Sequence, residues 1–135
     1  MRIVVDAASL LALVESGLPL AAGHQLVAPA GVRSQALDLL LARVRRGELD
    51  AREALARHDQ LTETKIRALN DRVSRRVAWD IALQHGWDSI REAEYLAVAR
   101  LQADALVTGD PRLVEAARGV VAVLPLAALF DDQVT

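Results

Sequence analysis

The run Arg2-Ile3-Val4-Val5-Asp6 constrains the fold more than any other stretch of this chain. A short β-branched segment that ends abruptly on a carboxylate reads as a strand buried on both faces. Strands of this kind belong to parallel sheets covered by helices, and ligands collect at their carboxyl ends. Asp6 stands at such an end. The function of the chain therefore turns on which other polar groups can reach it.

Downstream, strand and helix patterns alternate. Ser9 to Ser16 reads as a helix closed by Gly17, and Gln25–Ala28 as a strand stopped by Pro29. From Ala30 to Arg46 the spacing of Val32, Ala36, Leu39, Leu40 and Val44 predicts a helix ended by Gly47. Asp50 with Glu53 predicts a capped helix continued by Ala51, Leu55 and Leu61. Lys65–Leu69 is either the tail of that helix or a short strand, and the strand is preferred. A helix capped by Asn70 or Asp71 should bury Val73, Val77, Ile81 and Ala82, and Gly86 should stop it. Ser89 with Glu92 predicts the next cap, with Ala93, Leu96, Ala97 and Leu101 facing inward. Ala105–Thr108 is the second clear strand, a helix spans Pro111 to Arg118, Val120–Val123 is the last strand, and a helical turn follows near Leu126–Phe130. This alternation implies one α/β domain over residues 1–135, with a parallel sheet and right-handed crossovers.

The chemistry available is limited by composition. There are no cysteines, which removes disulfides, thiolate metal sites and Cys nucleophiles. The net charge of −2 provides no global attraction for nucleic acid, and Lys65 is the only lysine among sixteen basic residues. No signal peptide and no membrane span are expected, and a cytoplasmic location fits the absence of cysteine. Position 8 is Ala, so the D-x-D of one phosphatase class is missing, and no glycine-rich phosphate loop is present.

Two carboxylates end strands, Asp6 and Asp110. In a doubly wound sheet ordered 3-2-1-4-5, strands one and four are neighbours at the switch point, which sets the two acids across one crevice. Clustered carboxylates repel unless a hard divalent cation lies between them, and this points to Mg²⁺ or Mn²⁺ and phosphodiester chemistry. Helix capping explains each acid equally well, since Asp110 followed by Pro111 is a favourable helix start. Glu92 and Glu94 lie on opposite sides of one helix, and spacing does not choose between them. Among the arginines, Arg43, Arg45 and Arg46 suit a helix C-terminus, whereas Arg72, Arg75 and Arg76 near an N-terminus are candidates for phosphate contact. His24, His58 and His85 show no metal-ligand spacing and read as surface residues.

Three blocks carry a resemblance: RIVVDAASLLALVES at 2–16, LVAPAGVRSQALDLL at 26–40 and EAEYLAVARLQADALVTGDPRL at 92–113. Together they resemble the PIN-domain ribonucleases of the VapC toxin type over nearly the full length. The last block is the most specific, because it joins an acid-A-x-Y helix to an L-V-T-x-D strand. The resemblance implies a three-layer α/β/α sandwich and RNA cleavage with Mg²⁺ or Mn²⁺ held by about four acids. It also implies a homodimer and a cognate antitoxin protein that blocks the site.

Carried over by position, Asp6 and Asp110 match the first and last family acids. Glu92 matches the third, usually Asp, and its extra methylene moves the carboxylate outward by about one C–C bond length. The second acid, normally Glu, is Gln35 in this chain. Gln35 offers a carbonyl oxygen as a weak or water-mediated ligand but no charge, so divalent affinity should fall. The implied function is a metal-dependent ribonuclease toxin using Asp6, Glu92 and Asp110, with Thr108 orienting a carboxylate or a water. The alternative is a PIN-like module whose degenerate site binds RNA or protein without cleavage.

Overall fold

The computed structural model describes residues 1–131. Strand β1 (Arg2–Val5) lies at the centre of a five-stranded sheet, and Ile3, Val4 and Val5 are all fully buried. Burial of each such side chain stabilises the fold by about 1.5–3 kcal/mol, and this anchors the sheet to both helical layers. On one side β1 pairs with β2 (Gln25–Pro29), which pairs with β3 (Arg67–Leu69). On the other side β1 pairs with β4 (Ala105–Val107), which pairs with β5 (Ala122–Leu124). Every pairing is parallel, as the alternation of elements predicts, and the order is the expected β3-β2-β1-β4-β5.

Six helices cover the sheet: α1 (Ala7–Ser16), α2 (Val32–Arg45), α3 (Ala51–Glu63), α4 (Arg72–His85), α5 (Arg91–Gln102) and α6 (Pro111–Ala117), followed by a 3₁₀ turn at Leu126–Phe130. Helix α1 packs on α2 and α3, while α5 packs on α4 and α6. This grouping follows from right-handed crossovers that run outward from β1 in one direction and return in the other. The reversal leaves a crevice at the carboxyl ends of β1 and β4, where Val5 pairs with Val107. Helices α1, α2 and α6 each begin at that edge because each follows a strand. Helix α5 precedes β4, runs against it, and so also presents its N-terminus there.

Several local expectations shift. Leu39, Leu55, Val73 and Leu101 are exposed, because only part of each apolar stripe meets the sheet. The last strand starts two residues later than predicted, at Ala122, since Val120 and Val121 close the α6 turn by donating to Ala117 O. Ser89 does not cap with Glu92. Its hydroxyl accepts the Arg91 amide instead, and Ile90 occupies the cap position without a side-chain bond. His24 is no plain surface residue: it is half-buried and its ring hydrogen-bonds the Ala128 and Asp131 carbonyls. No helix among the described residues is long and apolar enough to cross a membrane.

Candidate active site

The crevice is a cleft of about 610 Å³, lined by Asp6, Gln35, Glu92 and Asp110 from four different elements. Asp38, Arg91 and Tyr95 also line it. Glu94, the rival of Glu92, is not among the lining residues. Burial pushes its carboxyl upward, against the opposing pull of Arg75 and Arg91.

Asp6 caps a helix and lines the cleft at the same time. Its Oδ1 accepts the Ser9 amide at 2.9 Å and caps α1, while its Oδ2 accepts the Thr108 hydroxyl at 2.5 Å. The side chain is buried, and these two donors offset much of the cost of removing a carboxylate from water. Asp110 caps α6 by accepting the Arg112 amide at 2.9 Å, and its own amide donates to the Thr108 hydroxyl oxygen at 3.0 Å. Capping and cleft-lining are thus compatible, because a cap uses one oxygen and one direction of approach.

Glu92 is the complement of these two. Its Oε2 is buried and has no hydrogen-bond partner. The failure of the Ser89 capping box is what leaves this carboxylate uncommitted. An unpaired buried carboxylate oxygen can accept only a proton donor or a cation, and hard oxygen donors suit Mg²⁺ or Mn²⁺. The donor chemistry of the cleft therefore fits a hard divalent ion. Among the described residues, however, no three Asp, Glu or His side chains are grouped so as to hold one ion as they stand. Closing around a cation requires side-chain rotation, and Glu92, unlike Asp6 and Asp110, has no side-chain hydrogen bond to break among the described residues.

Gln35 is bonded to another residue of the cleft wall. Its Oε1 accepts the Tyr95 hydroxyl at 2.6 Å, and its Nε2 lies 3.3 Å from the point where a side chain on Gly31 would begin. Burial, with the Asp6 charge nearby, pushes the Tyr95 phenol well above its ordinary value, so it remains a donor. Neither Tyr95 nor Asp38 stood out in the sequence as a site residue. Asp38 could have been found from its position three residues after Gln35, on the same face of α2.

The arginines divide differently from expectation. Arg43 pairs with Glu15 at 2.5 Å and Arg46 with Glu48 at 2.6 Å, which fits their helix-end role. Arg75 bonds the Asn70 and Asp71 carbonyls, and Arg76 pairs with Asp80. None of Arg72, Arg75 or Arg76 lines the cleft; Arg91 does, and its side chain has no hydrogen bond or ion pair among the described residues. His58 lies beside Asp59 and His85 stacks near Trp87, and neither lines the cleft.

No protein-family model matches this chain, and no curated protein matches it significantly. Among solved structures, the fold is similar to the crystal structure of PAE2754 from Pyrobaculum aerophilum, with a TM-score of 0.73 and 20% identity over 96% of this chain and 93% of that one. At that identity the likeness establishes a shared architecture, a parallel α/β sandwich spanning both chains.

Proposed function

We propose that the protein is a metal-dependent endoribonuclease of the VapC toxin type. One observation carries the reading: the four positions matched to the family acids, Asp6, Gln35, Glu92 and Asp110, line a single cleft although they are scattered along the sequence. Asp6, Glu92 and Asp110 would hold the Mg²⁺ or Mn²⁺ ion. When bound, such an ion activates water and offsets the charge that builds up during phosphodiester hydrolysis.

The chain supplies the rest. Ser9 and Thr108 hold Asp6 in one orientation, and the Arg112 amide does the same for Asp110. Arg91, exposed at the start of α5 on the cleft wall, would meet a substrate phosphate. RNA is the substrate and an antitoxin the inhibitory partner on the strength of the family resemblance. Purified protein is expected to cleave RNA with Mg²⁺ or Mn²⁺, to stop in excess chelator, and to lose cleavage in Asp6→Asn. Cleavage that persists in chelator overturns the mechanism.

A second reading is a non-catalytic binding module. The uncharged Gln35 favours it, since one lone pair of its carbonyl oxygen is already committed to Tyr95. RNA retention on a filter without cleavage at any Mn²⁺ concentration would select this reading.

A further inference from the structure

We infer that Asp38, not Gln35, supplies the charge that helix α2 contributes to a divalent cation in the cleft. The inference rests on the metal-dependent reading above. It starts from the fact that Gln35 carries no charge and that its Oε1 already accepts the Tyr95 hydroxyl.

Asp38 lies one turn further along α2 and lines the same cleft. No local role accounts for an aspartate at this position. It stands in the helix interior, so it caps nothing, and Asp is a poor helix former there. The residues three and four positions away are Gln35, Ser34, Leu41 and Ala42, none of which can form an ion pair with it. Its carboxylate is exposed and makes no hydrogen bond or salt bridge among the described residues.

An unpaired carboxylate added to a cleft that already holds Asp6, Glu92 and Asp110 is opposed by like-charge repulsion. A shared divalent cation reverses the sign of that interaction. The buried, partnerless Oε2 of Glu92 is an independent indication in the same cleft that a positive group is wanted. Positions 35 and 38 share a helix face, with Cβ atoms about 5–6 Å apart, so a carboxylate can serve one cleft from either.

The test is calorimetric titration of Mn²⁺ alone into chelator-treated full-length protein, with melting temperatures as a control for folding. Asp38→Asn is expected to weaken Mn²⁺ binding roughly ten- to hundredfold, the range seen when a group supporting a metal site is removed. Asp38→Glu should retain affinity, because it keeps the charge. The metal-free melting temperature of both variants should stay close to wild type. Wild-type affinity in Asp38→Asn alongside lost affinity in Asp6→Asn overturns the role of Asp38 and leaves the metal site standing. Absence of Mn²⁺ binding to the wild type overturns both.

Discussion

Thr108 donates its hydroxyl proton to Asp6 Oδ2 at 2.5 Å, and so ties the end of β4 to the end of β1. The Thr108 hydroxyl oxygen in turn accepts the Asp110 amide, and one small side chain therefore positions both strand-terminal acids.

Thr108→Val keeps the shape and removes both bonds. Asp6 Oδ2 would lose its donor while still buried, at a cost of about 1.5–3 kcal/mol. Chemical denaturation should report that loss, and RNA cleavage should fall at least as much as stability. Full activity in Thr108→Val would show that Asp6 needs no such support.

Gln35 and Asp38 should behave as alternatives rather than as independent sites. Gln35→Glu alone is expected to change the Mg²⁺ concentration needed for half-maximal cleavage only slightly. In an Asp38→Asn background the same change should restore much of the lost affinity, a non-additivity typical of residues sharing one partner. A gain on the order of tenfold from Gln35→Glu alone would mean that α2 brings no effective charge in the wild type.

Tyr95→Phe removes the bond to the Gln35 amide without opening a cavity. The expected loss is about 0.5–1.5 kcal/mol, typical of one neutral hydrogen bond. Urea unfolding of the two proteins, with equal slopes, measures it. An unchanged midpoint would show that water replaces the phenol at no cost.

Glu94 gives the fold a pH signature. Its folded carboxyl lies above the ordinary value of 4.5, chiefly through burial. The neutral form is thus favoured by folding, so this contribution is complete below 4.5 and fades as pH rises through the raised value. Glu94→Gln should accordingly raise the melting temperature at neutral pH, with a gain that shrinks under acid conditions. Thermal melts across pH 3 to 8, a range spanning the ordinary carboxylate values, would reveal a flat difference if burial does not matter at this position.

Local chemistry was legible along the chain at four strand-to-helix or loop-to-helix junctions, though not at Ser89, where Ile90 takes the cap position. Asp6, Asp50, Asp71 and Asp110 all cap the helices that follow them, since a cap needs only an amide two or three residues on. The parallel sheet followed from alternating elements, and its order is the doubly wound 3-2-1-4-5 expected of the resemblance. Tertiary contacts decided the rest. Leu39 and Val73 fit a helical stripe yet face water, because the sheet covers only part of each helix. The Tyr95–Gln35 bond joins residues sixty positions apart, and no periodicity encodes it. The opening strand determined that a carboxylate would stand at the centre of the sheet edge. Only packing α2 and α5 around that edge brought Asp38, Arg91 and an unpaired Glu92 to it, because distance across a fold is set by how the layers pack and not by separation along the chain.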